Sequence, residues 1–224
     1  MAALFSDRRD GGRQLATRLS HLARRPHLIV LGLPRGGVVV AAEVAHALGA
    51  PLEVFVVRKL GVPGHEELAM GAVASGGVRV INPETVAALG IPRSMVDEVA
   101  VAEQAELARR ERVYRQDRPF PDLREATVVL VDDGVATGST MRAALQALRE
   151  YRPAGLIAAA PVMSLSAWGV LLRIADACVA VATPEPFHGV GAWYEDFAQT
   201  TDAEVLAILE QANPGKVTAS GSAS

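Results

Sequence analysis

Two adjacent aspartates, followed by small and hydroxyl residues, are the part of this sequence best suited to chemistry. Asp132 and Asp133 come directly after the apolar run VVLV, and residues 134–140 read GVATGST. Two neighbouring carboxylates repel one another unless a cation or hydroxyl groups satisfy them. The vicinal diol of a ribose offers two hydroxyl donors, and a magnesium ion would also relieve the charge. The pair therefore predicts a site for a sugar at the end of a strand.

The residues after the aspartates suit a phosphate group. The first backbone N–H groups of a helix are unpaired, and a helical pattern, TMRAALQAL, begins at Thr140. Carboxylates for a diol and amides for a phosphate, a few residues apart, fit a ribose 5-phosphate. A plain helix cap at Ser139 is the alternative. A Walker-type phosphate loop is excluded, since no lysine follows Gly138.

The stretch 128–140 resembles the motif that binds 5-phosphoribosyl 1-pyrophosphate (PRPP) in type I phosphoribosyltransferases, and the resemblance covers residues 5–210. It is similar to a bacterial group within that family. The resemblance implies a glycosyltransferase of nucleotide metabolism, which moves the 5-phosphoribosyl group from PRPP to a nitrogen nucleophile such as a nucleobase and releases pyrophosphate. Mg²⁺ is the implied cofactor. Asp132 and Asp133 would hold the ribose and act indirectly on the metal, and the 5-phosphate would be bound by Val135, Ala136, Thr137, Gly138, Ser139 and Thr140.

The segment LPRGG, residues 33–37, matches the place of the family's pyrophosphate loop. Gly36 and Gly37 would let backbone amides approach an anion, and Arg35 offers a charged fork suited to phosphate. A simple turn is the alternative. Because the family often holds this loop with a non-proline cis peptide, we expect a strained or cis bond between Pro34 and Arg35.

The segment VVRKLGVPGHEELAMGA follows the second predicted strand, where the family has a mobile lid. Lys59 matches the lysine expected near pyrophosphate, with Arg58 assisting, and Gly61, Pro63 and Gly64 suit a flexible lid. A pair of solvated charges is the alternative for Arg58 and Lys59. Catalytic roles in the resemblance fall to Arg35, Lys59, the two aspartates, Glu66 and Glu67.

One position departs from part of the family. Hypoxanthine–guanine members carry, just before Thr-Gly, an aspartate that handles a proton of the purine, whereas this chain has Ala136. Adenine-type members also have alanine there and take the carboxylate from a mobile loop, which favours Glu66 or Glu67 for that role. Ala136 equally keeps open a second interpretation, a PRPP-binding regulator on the same fold with little or no transfer.

The segment TPEPFHGVGAWYEDFAQT, residues 183–200, is predicted to form a hood over the site. In purine-type members an aromatic residue after the last core strand stacks on the base, and Phe187 has the matching place. Trp193 and Tyr194 add aromatic rings in a chain with only 4% aromatic residues, which supports a stacking pocket. Packing inside a small hood core is the alternative. Glu195 or Asp196 could approach magnesium.

The elements that must position these residues alternate between apolar strands and helical patterns. Continuous apolar strands separated by helices predict an α/β fold with an open, mainly parallel five-stranded sheet covered on both faces, which is also the type I phosphoribosyltransferase fold. Ligands bind such sheets beyond the carboxyl ends of the strands. We expect a single domain over 1–212, with its core at 26–182, a hood from 183–200 with N-terminal contributions, and a disordered tail at 213–224. The predicted strands span 27–33, 51–57, 126–133, 155–162 and 177–182, with a hairpin at 68–81 and a long helix at 92–118.

Composition fits this interpretation. The 224 residues are 50% hydrophobic with a net charge of −3, so no general basic field attracts nucleic acid or lipid. The single cysteine, Cys178, lies in an apolar run and is expected to be buried and inert. No signal peptide or membrane span is predicted, and the expected location is the cytoplasm. PRPP and a small acceptor are the expected partners, with a homodimer left open.

Overall fold

The structure, a computed structural model, describes residues 3–116 and 118–213, except for the side chains of residues 65–67. Apart from Asn213, the predicted disordered tail lies outside the described residues. Five parallel strands form the central sheet in the order β2-β1-β6-β7-β8. They span Leu28–Gly32 (β1), Leu52–Val54 (β2), Thr127–Val131 (β6), Gly155–Val162 (β7) and Ala177–Ala182 (β8). The predicted five-stranded parallel α/β sheet is confirmed.

A smaller antiparallel sheet lies between β2 and β6 in the chain. Its strands are Val57–Val62 (β3), His65–Ala74 (β4) and Val78–Ile81 (β5), in the order β3-β4-β5. The helices are Arg8–Arg18 (α1), Gly36–Leu48 (α2), Pro83–Ala88 (α3), Arg93–Arg115 (α4), Ser139–Arg149 (α5), Leu165–Leu171 (α6) and Asp202–Ala212 (α7). In the part of the chain that is described, none of them is long and apolar enough to cross a membrane.

The two faces of the central sheet pack against different helices because side chains of a strand alternate in direction. Val30 and Val129 lie in a buried cluster with residues of α1, α2 and α7. Leu31 and Leu130, one position along, belong to a second cluster with α5 and α6. Both faces are thus covered by helices, and the carboxyl ends of β1 and β6 remain free to carry the loops that follow them.

The predicted strand 51–57 is in fact shared between the two sheets. The Phe55 N–H donates to the Gly32 carbonyl at 3.0 Å in the central sheet, whereas the Val56 N–H donates to the Ser75 hydroxyl at 2.9 Å at the edge of the small sheet. The predicted hairpin at 68–81 corresponds to β4 and β5. The segment expected to be a flexible lid is also mostly strand, with its turn at Pro63 and Gly64.

The hood is built from both sides of the domain. Residues before α1 pair with residues 193–196: the Phe5 N–H donates to the Trp193 carbonyl at 3.1 Å, and the Glu195 N–H to the Phe5 carbonyl at 2.9 Å. Phe5, Trp193 and Tyr194 share a buried cluster with Val162 at the end of β7. The N-terminal segment therefore holds the hood against the central sheet.

Candidate functional site

The loop of residues 134–140, which we call the phosphate loop, follows the buried central strand β6 and leads into α5. Its first residue after the turn is fixed by the sheet, because the Val135 N–H donates to the Val162 carbonyl at 2.9 Å and the side chain is 3% exposed. The sequence-based assignment of Val135 to a phosphate is therefore not supported, since its amide is already used. Val135 instead anchors the loop.

The remaining amides of the phosphate loop are available. Within the described part of the chain, the N–H groups of Ala136, Thr137, Gly138 and Thr140 donate to no other group. The Ser139 N–H makes only a long contact of 3.4 Å with the Thr137 hydroxyl. Gly138 has a φ of 74°, a left-handed conformation that favours glycine and turns the chain into α5. Unpaired N–H groups at a helix start form an anion site.

The two carboxylates lie against the backbone of the segment LPRGG, which we call the pyrophosphate loop. A side chain on Gly36 would overlap Asp133 Oδ2, and one on Gly37 would bring its first carbon 2.9 Å from Asp132 Cα. Only glycine fits at either position, because the Asp133 carboxylate occupies the space beside Gly36 and the backbone of Val131 and Asp132 occupies the space beside Gly37. The structure thus joins the two loops that the sequence places about 95 residues apart.

The electrostatics of the aspartate pair differ between its members. Burial, and then the negative charge of Asp133, raise the pKa of Asp132 well above its usual value. The Asp133 N–H opposes this shift by donating to Asp132 Oδ1 at 2.9 Å. Asp133 itself is paired with a cation, since Arg8 Nε donates to its Oδ2 at 2.7 Å. The pair is therefore short of positive charge on the Asp132 side.

The pyrophosphate loop has the predicted cis peptide bond between Pro34 and Arg35, which is confirmed. Arg35 lines a cavity of about 420 Å³ together with Arg109 and Arg110 of α4. Tyr114 and Asp202 form the other side of this cavity, where the Tyr114 hydroxyl donates to Asp202 Oδ1 at 2.5 Å. Arg109 and Arg110 both donate to Glu106, whereas Arg35 is in no ion pair among the described residues, so Arg35 is the side chain of this cavity suited to an anion.

The small sheet separates the two basic residues predicted at its start. Arg58 Nε donates to Glu103 Oε2 of α4 at 2.6 Å, so this side chain fastens the sheet to α4. Lys59 points to the opposite face, as neighbouring residues of a strand do, and lines a cavity of about 560 Å³ with Ser139 and Arg142 of α5. Lys59 and Arg35 thus line different cavities. The side chains of Glu66 and Glu67 lie outside the described residues.

The aromatic residues of the hood have different surroundings. Trp193 and Tyr194 are 3% and 5% exposed, so their rings offer no free face for a base, and the alternative of hood core packing describes them better. The Tyr194 hydroxyl donates to the Asp133 carbonyl at 2.5 Å, and burial raises its pKa. Phe187 is half-buried, with its ring 6.3 Å from that of Trp193. Phe187 is the predicted base-binding residue that stays accessible.

The predicted metal-approaching residues of the hood are exposed. Glu195 and Asp196 project from the edge, and Asp196 Oδ1 accepts a hydrogen bond from the Ala198 N–H at 2.9 Å. Among the described residues, no group of three or more His, Cys, Asp or Glu side chains could hold a metal ion. A metal at this site would need most of its ligands from elsewhere.

Two residues of the site were missed by the sequence. Arg8 lies 125 positions from Asp133, in the charged run DRRD at residues 7–10, and no signal distinguishes it from Arg9. Arg142 could have been found, because residues three apart lie on one face of a helix and Ser139 is three positions earlier. Sequence patterns do not reveal when a charged residue such as Arg8 contacts a residue far away in the chain.

Comparison with known proteins gives a consistent result. A family model described as "Phosphoribosyl transferase domain" matches residues 8–182. Two Mycobacterium tuberculosis proteins, from strains CDC 1551 and H37Rv, each named "Putative phosphoribosyl transferase", are 45% identical over 94% of this chain. The chain spans about half the length of these curated relatives, 47% of each. The crystal structure of TT1426 from Thermus thermophilus is 43% identical, with a TM-score of 0.85 over 92% of this chain and 98% of that one.

Proposed function

Because the chain belongs to the phosphoribosyl transferase domain family, we propose that it transfers the 5-phosphoribosyl group of PRPP to a nitrogen nucleophile and releases pyrophosphate. One observation carries the proposal. The carboxylates of Asp132 and Asp133 lie against the side-chain-free backbone of Gly36 and Gly37, next to the unpaired amides of the phosphate loop. Groups for a 5-phosphate, a diol and a pyrophosphate therefore adjoin one another, in the order in which PRPP carries them.

In this reaction the protein would position PRPP and stabilise charge, and no side chain would act as a nucleophile. Breaking the C1–oxygen bond of PRPP develops positive charge on the ribose ring, as in glycoside cleavage. The side chains of Asp132 and Asp133 would accept hydrogen bonds from the ribose hydroxyls and stabilise that charge. Residues 136–140 would hold the 5-phosphate, and Arg35 with the amides of Gly36 and Gly37 the pyrophosphate. Holding PRPP in line with the acceptor supplies much of the rate.

Mg²⁺ fits this site as an ion carried by the substrate. Carboxylate oxygens are the hard donors that Mg²⁺ prefers, and it usually keeps water and substrate phosphates as its other ligands. Asp132 and Asp133 would act on it through the ribose hydroxyls, with exposed Glu195 and Asp196 as more distant candidates. When bound, the ion neutralises charge on the leaving pyrophosphate.

The acceptor is proposed to be a nucleobase. The accessible ring of Phe187, which follows β8 and borders the hood, offers a stacking face. Ala136 carries no acid, so a carboxylate from β4, Glu66 or Glu67, would take the acceptor proton. Both acids belong to the strand that follows the turn of the small sheet, a segment able to close over bound PRPP.

Pyrophosphate release from PRPP, measured with Mg²⁺ against a panel of nucleobases, tests the proposal. We expect release with at least one base. The double variant Asp132→Asn/Asp133→Asn should lose about a hundredfold or more in turnover, because both hydrogen-bond acceptors for the diol lose their charge. The matched control Asp122→Asn/Glu125→Gln removes two exposed acids away from the site and should keep wild-type turnover. Full activity in the first variant would disprove the ribose role.

A PRPP-binding regulator is the second candidate, and Ala136 is the observation that favours it. The Ala136 carbonyl accepts a hydrogen bond from the Ser164 hydroxyl at 2.5 Å, so the position serves the loop rather than an acceptor proton. Tight PRPP binding without pyrophosphate release for any base of the panel would select this candidate over the transferase.

A further inference from the structure

Arg8, the first residue of α1, is held in one geometry by three contacts. Its Nε donates to Asp133 Oδ2 at 2.7 Å, and one terminal nitrogen donates to the Ala198 carbonyl at 2.7 Å. Its guanidinium carbon lies 3.8 Å from the centre of the Phe197 ring, an arrangement in which the ring face attracts the cation. The side chain is 12% exposed, so water competes little with these contacts.

Asp133 is enclosed from three sides, one of them by Arg8. Arg8 binds its Oδ2, the Tyr194 hydroxyl binds its backbone carbonyl, and the backbone of Gly36 leaves no space beyond the carboxylate. Phe197 links the first two contacts, because its ring also stacks on that of Tyr194 with centres 5.0 Å apart. The N-terminal helix, the hood and the pyrophosphate loop thus all contact Asp133.

Arg8 also answers an electrostatic need. Within the described part of the chain, it is the one cation that hydrogen-bonds to either aspartate of the pair. Without it, the charge of Asp133 would face the half-buried Asp132 with no cation bound to it, and the Asp133 carboxylate would be free to turn towards water. A charge-assisted hydrogen bond with little exposure is among the stronger contacts available to a side chain.

We infer that Arg8 is a positioning residue that holds one oxygen of the Asp133 carboxylate, so that the other oxygen is placed to accept a hydrogen bond from a ribose hydroxyl. This inference rests on the proposed function, because it names the diol of PRPP as the ligand that benefits. Arg8 does not touch the substrate. The affinity for the diol therefore depends on how α1 packs against residues 197 and 198, and not on the phosphate loop.

Two phosphate monoesters separate this role from a general structural one. Ribose 5-phosphate carries the diol, whereas propyl phosphate presents the same kind of phosphate group without hydroxyls. Wild-type protein should bind ribose 5-phosphate more tightly, and the ratio of the two dissociation constants measures the contribution of the diol. In Arg8→Gln we expect this ratio to fall about tenfold while propyl phosphate binds as in wild type, as expected from losing one charge-assisted hydrogen bond.

Two further variants complete the test. Arg9→Gln removes the same charge from the same turn of α1, where the side chain is 53% exposed and pairs with Glu43, and should keep the wild-type ratio. Arg8→Lys keeps the charge but has one nitrogen in place of the two that bind Asp133 and the Ala198 carbonyl, so a partial rescue is expected. If Arg8→Gln does not fold, the ratio in Arg8→Lys decides.

The outcomes separate the inference from the proposed function. An unchanged ratio in Arg8→Gln, or an equal loss of affinity for both ligands, would overturn the role of Arg8 while leaving the transferase proposal intact. A wild-type protein that binds both ligands equally, or neither of them, would overturn both.

Discussion

Lys59 and Arg142 approach the phosphate loop from two different elements. Both line one cavity with Ser139, the residue at which α5 begins, whereas Arg35 of the pyrophosphate loop lines another. A cation stabilises most the charged group that it adjoins, because the Coulomb energy falls with distance. The resemblance assigns Lys59 to pyrophosphate, but its surroundings favour the 5-phosphate. We therefore propose that Lys59 and Arg142 bind the 5-phosphate together with the loop amides.

Single substitutions test this assignment at the residue scale. Lys59→Ala and Arg142→Ala should each weaken ribose 5-phosphate binding about tenfold, as expected from the loss of one charge-assisted contact. Product inhibition by pyrophosphate should change much less. Arg79→Ala is the control, since this arginine of β5 pairs with Asp97 of α4, outside the cavity. If Lys59→Ala weakens inhibition by pyrophosphate more than it weakens ribose 5-phosphate binding, Lys59 binds the pyrophosphate instead.

At the residue scale, the sequence describes features that belong to one short segment better than contacts between distant segments. The resemblance of the segment LPRGG to the family's pyrophosphate loop implied a strained or cis bond after Pro34, and the cis bond is present. The contacts of Trp193 and of Val135 depend on segments far away in the chain, which no short pattern encodes. The partner of Asp133 is likewise an arginine from the other end of the domain.

At the scale of elements, the small sheet is the part that a pattern of apolar residues describes least well. Strands β7 and β8 coincide with the predicted segments because the apolar run of each is continuous, and in β7, which has a neighbour on either side, both faces are buried. In β3, only Leu60 and Val62 are buried, between polar or small residues, so the segment resembled a loop. Those two side chains pack with Met70 and Val96 in a separate cluster beside α4. That cluster supports the strand from which Lys59 lines the cavity that it shares with Ser139.

Gly71 tests whether this sheet matters for function. A side chain there would overlap the Val80 carbonyl oxygen, so Gly71→Ala should separate β4 from β5. We expect turnover with PRPP to fall at least about tenfold, while the unfolding free energy falls by only about 1–3 kcal/mol. The matched control is Gly169→Ala in α6, where a side chain meets nothing within 4 Å and should stabilise by about 0.5–1 kcal/mol. Unchanged turnover in Gly71→Ala would show that the β4–β5 pairing does not serve the reaction.

At the scale of the whole molecule, the three tyrosines link the layers of the fold and share one electrostatic property. Tyr114 joins α4 to α7 through Asp202, Tyr151 bonds the Ser75 carbonyl beside the small sheet, and Tyr194 bonds the Asp133 carbonyl. Burial is the main cause that raises the pKa of each hydroxyl, to about 12 for Tyr114 and Tyr151. The folded protein therefore resists the ionisation of all three.

This property predicts a loss of stability in alkali. A raised folded-state pKa favours the protonated form, so the stability it contributes is present below 10.0, the ordinary pKa of a tyrosine, and is lost as the pH rises towards about 12. At about pH 11, between the two values, Tyr114 and Tyr151 should each have lost part of this contribution. Urea unfolding at about pH 8 and about pH 11 measures it. Tyr114→Phe and Tyr151→Phe should each reduce the difference between the two pH values, and an unchanged difference in both would refute the explanation.

The pairing of residues 4–6 with residues 193–196 has a consequence for biosynthesis. Translation delivers the first of these segments early and the second only after β8 has been made, so the early segment has no partner while the central sheet is assembled. A nascent chain that ends at Ala182 holds every strand of both sheets and both loops of the site, yet Arg8 still lacks the carbonyl of Ala198 and the ring of Phe197. Every strand and both loops of the site are therefore synthesised before Arg8 can make its contacts with Phe197 and Ala198.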